Sequence, residues 1–297
     1  KRQGLRGRLD RPFWGVMGIW ATFCGALATN RLQWDGEDLL TLALVILLAD
    51  LAWGGLWDLA VGTDWTQILR GGRFSGRPIP SFALPFTQPD SLGGRFSHGL
   101  RRFVGWWCGT LWPEAGPEVL GFVAAAILAG VLSLLLPIRI LVLHALLAGL
   151  LLVGVIQRFR GHVSLAGQGF VLVALGWLAG SMAFTDLSQP TVVLAFSFAV
   201  AAWGALRAGE GLRGGLWLLN GGQLVCIGLL VVMRQPLAAV AVGLLLAGQI
   251  ALELTLISYA PPDRQPPRQL GADASRVMVR TWSWLMAAML VAAVALA

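Results

Sequence analysis

The sequence predicts an all-α polytopic membrane protein. Hydrophobic residues make up 57% of the chain, charged residues make up only 12%, and the mean hydropathy is +0.72. In an ordinary soluble domain, charged residues make up roughly a quarter of the chain. Apolar runs of about twenty residues recur from one end of the chain to the other, and each is long enough to cross a bilayer core of about 30 Å. This composition excludes an ordinary soluble domain and indicates a protein surrounded by a lipid bilayer.

The apolar runs predict nine transmembrane helices in a single transmembrane domain that covers residues 1–297. The predicted spans are 13–29, 39–61, 117–136, 138–156, 165–185, 191–207, 215–233, 236–259 and 279–297. Two loops predicted on the inner side are long, 62–102 and 260–278, and neither has the composition of a separate domain. The Trp-rich segment 103–112 is too short to span comfortably before Pro113, so we expect it to lie at the membrane interface, where indole rings prefer to sit.

The distribution of basic residues predicts the orientation of these helices. With the N-terminus inside, 19 of the 22 Lys and Arg residues fall in inner segments, and the outer segments keep only Arg31, Arg139 and Arg234. The positive-inside rule expects such an asymmetry. The net charge of +7 therefore reflects membrane topology rather than binding to nucleic acid. We expect an integral protein of a bacterial inner (cytoplasmic) membrane, and we interpret the first apolar run as a retained helix rather than a signal peptide.

Acidic residues mark the second predicted span and the loop that follows it. Asp50 and Asp58 lie within the span, eight positions apart, which predicts nearly the same face of a helix. Asp64 follows in the loop, which also carries Arg70 and Arg73. Carboxylates in a membrane helix are costly unless they face protein, water or a cation, so they indicate a candidate site.

Three features of the chain resemble the UbiA-type intramembrane prenyltransferases. They are the nine predicted helices, the sequence Arg11-Pro12-Phe13-Trp14 that enters the first helix, and the acids where the second helix meets a long inner loop. The resemblance implies a nine-helix bundle with two Asp-rich motifs on the same side, after helices 2 and 6. In that family the motifs hold magnesium ions, which bind the diphosphate of an isoprenoid donor. Magnesium prefers carboxylate oxygens and neutralises the charge that grows on the leaving diphosphate.

The first motif region departs from the family pattern, which is Asn-Asp-x-x-Asp-x-x-x-Asp. If Trp57 and Asp58 occupy the Asn-Asp positions, the next two carboxylates should stand at Val61 and Trp65. The sequence instead has Asp64, one position early.

The second motif region also departs from the pattern. It should follow the sixth helix, where residues 203–213 contain one acid, Glu210, between Arg207 and Arg213. A single glutamate cannot organise a cluster of magnesium ions and diphosphate, and the neighbouring arginines would compete for it.

We therefore expect a non-catalytic UbiA-like protein that acts as a structural or ligand-binding subunit of a larger membrane complex. The ligands we consider are a lipid, a quinone, a carotenoid or a chlorophyll-type pigment. The expected remnants of a cavity or metal site are Asp50, Asp58, Asp64 and Glu210. The expected rim for phosphates or lipid headgroups, whose oxygens match guanidinium groups, comprises Arg70, Arg73, Arg207 and Arg213. The alternative is a divergent prenyltransferase that moves an isoprenoid to an aromatic or tetrapyrrole acceptor, with magnesium bound by Asp58, Asp64 and Glu210.

A second alternative depends on His144, which lies in the middle of the fourth predicted span. A neutral imidazole in an apolar helix can bind the metal of a haem- or chlorophyll-type ring. The protein would then be a tetrapyrrole-binding subunit. The other interpretation is a hydrogen-bonded histidine that packs inside the bundle.

Other residues in the spans leave binding and packing open. Four deep tryptophans either line an apolar pocket for a prenyl, carotenoid or quinone tail or pack inside the bundle: Trp53, Trp57, Trp177 and Trp203. Glu253 either lines the same cavity or is paired within the bundle. Asn220 and Gln223 are expected to form hydrogen bonds between helices, and small residues to allow close helix packing, at Gly176, Gly180, Gly221 and Gly222.

Overall fold

The computed structural model describes residues 14–63, 65, 91–162, 164–210, 214–258 and 267–297. Within these ranges the chain forms helices and no strand, which confirms the all-α prediction. The helices are α1 (Trp14–Leu27), α2 (Gly36–Gly62), α3 (92–135), α4 (Ile140–Phe159), α5 (Leu165–Phe184), α6 (Gln189–Gly209), α7 (Gly215–Val232), α8 (Pro236–Ser258) and α9 (Pro267–Leu296).

Seven of the described helices, α2 to α8, contain a segment long and apolar enough to cross a membrane. Two shorter apolar segments, Val16–Leu27 in α1 and Thr281–Leu296 in α9, coincide with the first and last predicted spans. These helices support an integral membrane protein in a lipid bilayer. The count of nine spans and the inward N-terminus stay predictions.

Side-chain caps explain where three of the helices begin. The Asp35 carboxylate accepts a hydrogen bond from the Asp38 backbone N–H (2.8 Å) before α2, and the Ser91 hydroxyl accepts one from the Gly94 N–H (3.0 Å) before α3. Ser188 caps α6 in the same way. Such caps satisfy backbone donors that have no partner in the first turn of a helix.

Helix α3 differs most from the prediction. It joins Leu92–Trp106, a π-helical turn at Trp107–Leu111, and Trp112–Leu135. The Trp-rich segment 103–112 is therefore helical and continues directly into the third span. Pro113 does not end the helix, although it has no N–H to donate; it stands two residues after the π-helical turn Trp107–Leu111. The two predicted long loops are correspondingly shorter, because α3 begins within 62–102 and α9 begins within 260–278.

Helix α5 lies at the centre of the bundle, and α3 and α4 lie at its edge. In the span of α5, 78% of the residues are buried, against 17% in Ala115–Leu135 of α3 and 22% in α4. α5 is the least apolar of the seven span-length segments, and its small residues Gly176 and Gly180 suit it to contact with other helices rather than with lipid. The edge helices turn apolar side chains outward instead, and Ile127, Leu134 and Val142 are 62%, 74% and 66% exposed.

Glycines allow α1 to approach α5 closely. A Cβ atom added to Gly25 would lie 2.0 Å from the carbonyl oxygen of Trp177, and one added to Gly180 would lie 2.0 Å from the carbonyl oxygen of Thr22. At Gly176 the added atom would lie 3.2 Å from the Thr22 hydroxyl oxygen. The predicted close packing at Gly176 and Gly180 is confirmed, and α1 is the helix they contact.

Helices α6 and α7 are packed in the same manner. A Cβ atom added to Gly204 would lie 2.1 Å from the backbone nitrogen of Leu219, and one added to Gly222 would lie 2.4 Å from the carbonyl oxygen of Ser197. The prediction is therefore confirmed at Gly222. It is wrong at Gly221, where an added Cβ would meet nothing within 4 Å.

An ion pair joins two loops at the end of the bundle opposite the start of α5. The Arg139 guanidinium lies 2.5 Å from the Asp186 carboxylate, and so connects the α3–α4 loop to the α5–α6 loop. Both residues were predicted on the outer side, and the contact places them at the same end. Because Asp186 is 95% exposed, the pair adds little stability.

We expect Gly180→Ala to destabilise the bundle. The added methyl group would overlap the Thr22 carbonyl oxygen, so α1 and α5 would have to separate. Overpacking of this kind costs about 1–3 kcal/mol. Thermal unfolding in detergent, followed by tryptophan fluorescence, measures the loss. Gly130→Ala in α3 is the matched control, because nothing lies within 4 Å of its added Cβ, and equal unfolding temperatures for the two variants would contradict the described packing.

Candidate functional site

The ends of α2 and α6 meet at the beginning of α5. A Cβ atom added to Gly167 would lie 2.2 Å from the Trp57 ring, near the end of α2. One added to Gly169 would lie 3.0 Å from the backbone nitrogen of Trp203, near the end of α6. The two stretches in which the resemblance predicts the Asp-rich motifs therefore lie at the same end of the bundle.

Asp50 and Asp58 occupy different surroundings on α2. Asp50 lies in the π-helical segment Leu47–Trp53, partly buried against α1, and a Cβ added to Gly18 would lie 2.9 Å from its Oδ1. Asp58 is also partly buried and begins a second π-helical segment. A π turn holds more residues than an α turn, so a spacing of eight does not by itself put both carboxylates on one face. The rise along α2 separates them by on the order of 10 Å, whereas the ligands of one magnesium ion span about 4 Å.

Arg207 and Glu210 lie at the end of α6. The guanidinium carbon of Arg207 is 5.9 Å from the centre of the Trp203 ring, which is a cation–π contact. Glu210 is exposed and follows the last helical residue, with its backbone N–H bonded to the Leu206 carbonyl oxygen at 3.1 Å. The predicted rim arginine is therefore held against an aromatic ring of its own helix.

Four of the predicted site residues lie outside the described residues: Asp64, Arg70, Arg73 and Arg213. In the part of the chain that the structure describes, no group of three or more His, Cys, Asp or Glu side chains is placed to hold a metal ion. The described acids alone do not form the magnesium site that the resemblance implies.

His144 is hydrogen-bonded inside the bundle. It is the fifth residue of α4 and so lies near the start of that helix rather than in its middle. Its Nδ1 atom accepts a hydrogen bond from the Trp53 indole N–H at 3.3 Å, and the Ser133 hydroxyl oxygen lies 3.3 Å from the same nitrogen. Because Nδ1 accepts this hydrogen bond, a neutral imidazole carries its proton on Nε2. A protonated nitrogen has no lone pair for a metal, so the geometry favours packing over tetrapyrrole binding.

Three of the four deep tryptophans fill the interior. Trp53, Trp57 and Trp177 are 0%, 4% and 0% exposed. The Trp57 ring lies against α4, where a Cβ added to Gly154 would be 2.9 Å from it, and the Trp177 ring stacks on Phe198 with ring centres 5.6 Å apart. These contacts favour packing over the lining of a pocket.

A shallow recess of about 150 Å³ lies where α2 and α4 end. It is lined by Ala60, Trp65, Val155, Arg158 and Phe159. The Trp65 indole N–H donates to the carbonyl oxygens of Leu59 and Ala60 at 3.0 and 3.1 Å, which fixes the ring over the end of α2. This volume includes open solvent, and the enclosed space is essentially zero, far below the roughly 300–1,000 Å³ of typical ligand pockets.

A buried cluster of polar side chains joins α7 to α8. The Gln249 amide donates to Asn220 Oδ1 at 2.9 Å and to Glu253 Oε1 at 3.0 Å. The Gln223 amide donates to Gln249 Oε1 at 2.8 Å, and the Asn220 amide donates to Glu253 Oε2 at 3.1 Å. The predicted interhelical role of Asn220 and Gln223 is confirmed, and Glu253 is paired within the bundle. Gln249, the central member, was not predicted, although its spacing of four from Glu253 on an apolar helix could have indicated it.

Comparison of the chain with protein-family models, with curated proteins and with solved structures finds no match. The resemblance to the UbiA-type prenyltransferases therefore depends on the helix plan and on the residues described above.

We expect His144→Ala to lower stability and to leave the visible absorption spectrum of the purified protein unchanged. The substitution removes the acceptor of the buried Trp53 N–H, and an unsatisfied buried donor costs about 1–3 kcal/mol. In a Trp53→Phe background the donor is absent, so the same substitution should cost less. Unfolding temperatures of the two single variants and the double variant measure this coupling. A tetrapyrrole absorption band that is present in the native protein and lost in His144→Ala would contradict the packing interpretation.

Proposed function

We propose that this chain is a non-catalytic, UbiA-like subunit that helps to build a larger complex in a bacterial inner membrane. The observation that carries the proposal is the filling of the interior where α2, α4 and α5 meet. Trp53 and Trp57 occupy that space, and each is almost fully buried. A transferase needs room for an isoprenoid tail beside its diphosphate site, and side chains packed to this density leave little.

The placement of the acids supports the same proposal. Asp50 faces the backbone of α1 at Gly18, and Asp58 lies eight residues, or about two turns of α2, farther on. Carboxylates this far apart on one helix cannot bind the same magnesium ion. Asp50 is therefore better suited to a role in the contact between α1 and α2.

The outward surfaces give such a subunit its contacts. The apolar faces of α3 and α4 turn away from the bundle and contribute little to its core. In a membrane such faces contact lipid or the helices of another protein. We assign the contact with neighbouring subunits to the α3–α4 face, since α3 is the least buried of the seven span-length segments.

The divergent prenyltransferase remains the second candidate, and one observation favours it. The ends of α2 and α6 lie at the same end of the bundle, around Gly167 and Gly169. A site there would combine Asp58 and Glu210 with Asp64, and would use magnesium to stabilise the leaving diphosphate.

Purification from native membranes tests the structural proposal. We expect the full chain, extracted in mild detergent, to bring down the same membrane proteins in fixed proportion in every preparation. Ile127→Trp on α3 should reduce their recovery several-fold, because it adds bulk to the proposed contact face. Val240→Trp on α8 is the control, since Val240 is 61% exposed against 62% for Ile127. Recovery of the chain alone, or equal losses in both variants, would contradict the proposal.

A transferase assay separates the two candidates. We expect no release of pyrophosphate when the purified protein is incubated with magnesium, a prenyl diphosphate and aromatic or tetrapyrrole acceptors. Release that is abolished by Asp58→Asn and retained by Asp186→Asn would establish the enzyme. Asp186 is a suitable control because it lies in the α5–α6 loop, at the other end of the bundle.

A further inference from the structure

The first segment of α3 carries an exposed row of basic side chains. Arg95, His98 and Arg102 follow one another at spacings of three and four on Leu92–Trp106, which places them on one face of the helix. All three side chains are exposed. We call these three residues the basic row.

Aromatic side chains lie beside this row. Phe96 and Phe103 are 68% and 44% exposed, and each follows one of the arginines, so each stands about 100° around the helix from Arg95 or Arg102. Phe103 also packs against Trp106 and Trp107, with ring centres 5.9 Å apart in each pair. The side of the helix away from them is buried at Ser97. The exposed surface therefore has two adjacent parts, one basic and one aromatic.

We propose that this surface binds the headgroups of anionic phospholipids. Guanidinium groups match the oxygens of a phosphate, and each basic residue near an anionic membrane surface adds to the attraction. Aromatic rings prefer the boundary between headgroups and acyl chains. A basic row alone would suit any acidic partner. The exposed phenylalanines beside it fit a surface that is charged on one side and apolar on the other, as a helix lying at a membrane interface requires.

The position of the segment along α3 sets a requirement for this binding. Arg95 is 20 residues before Ala115, where the apolar span of α3 begins, which is about 30 Å along a straight helix. Headgroups would be out of reach of Arg95 if the segment projected straight from the membrane. It must therefore lie along the surface. The π-helical turn Trp107–Leu111 and Pro113 stand between this segment and the apolar span that begins at Ala115, and Pro117 lies in the first turn of that span. Helices bend at such features.

Native mass spectrometry of the full chain tests the proposal directly. The detergent-solubilised protein is mixed with equimolar phosphatidylglycerol and phosphatidylcholine, and the bound lipids are counted. We expect a preference for phosphatidylglycerol that falls at least about fivefold in the triple variant Arg95→Gln, His98→Gln and Arg102→Gln. The matched control removes two arginines and one histidine near the end of α4, Arg158→Gln, Arg160→Gln and His162→Gln, and should keep the preference within about twofold.

Several results would overturn the proposal. The first is a native chain that shows no preference for phosphatidylglycerol. The second is an equal loss of that preference in the two triple variants. The third is a triple variant of the basic row that keeps its lipid preference but loses an acidic protein that copurifies with the native chain. If the triple variant unfolds, Arg95→Glu alone should produce the same loss of preference.

A second measurement tests the position of the segment. A fluorophore is attached at Phe96→Cys in a Cys108→Ser background, since Cys24 and Cys226 are buried and Cys108 is the exposed cysteine. Brominated phosphatidylglycerol in nanodiscs should quench this fluorophore more strongly than one attached at Arg31→Cys in the α1–α2 loop. Equal quenching at the two positions would overturn the surface-lying arrangement and with it the proposal.

Discussion

Close contact between the backbone of α5 and those of its neighbours holds this bundle together. In a bilayer the lipid is as apolar as the helices, so their association depends on van der Waals packing and hydrogen bonds. Both occur where α1 meets α5. Gly25 and Gly180 remove the side chains that would separate the helices, and the Ser181 hydroxyl donates to the Gly25 carbonyl oxygen at 2.9 Å. On its other side, α5 lies against α6 at Gly169. The central helix is therefore fixed from two directions.

The position of α5 limits the space that is left at the ends of α2 and α6. The glycines at the start of α5 bring the ends of α2 and α6 together, as a two-motif site requires, but the Trp57 ring packs directly against Gly167. Trp53 adds a second large ring on the same helix and bonds to His144. The space between α2, α4 and α5 is thus occupied by residues that also hold these helices in place. Enlarging it for a ligand would cost packing energy at several contacts at once.

The sequence predicts the helices well and their contacts in part. Runs of apolar residues give the positions of the spans, because length and hydropathy are local properties. Gly180 and Gly222 are confirmed as packing residues, whereas Gly221 is not, since which face meets a neighbour depends on the tertiary arrangement. The spacing of four between Gln249 and Glu253 is visible in the sequence, but the contacts of Gln249 with Asn220 and Gln223 on α7 are not, and so its role was missed. The π-helical turns and the extension of α3 through the Trp-rich segment also lie beyond composition and periodicity.

The two parts of helix α3 suit different environments. Its second part, Trp112–Leu135, turns apolar side chains away from the bundle, while its first part, Leu92–Trp106, carries exposed arginines. If α3 were straight, both parts would point in the same direction. A segment that crosses the membrane and a segment that lies on its surface need different directions. The π-helical turn at Trp107–Leu111 and the prolines after it are features at which a helix can bend, so they permit the two parts to differ in direction. The same turn carries Trp107, which stacks on Trp112 with ring centres 6.5 Å apart and so stabilises the junction itself.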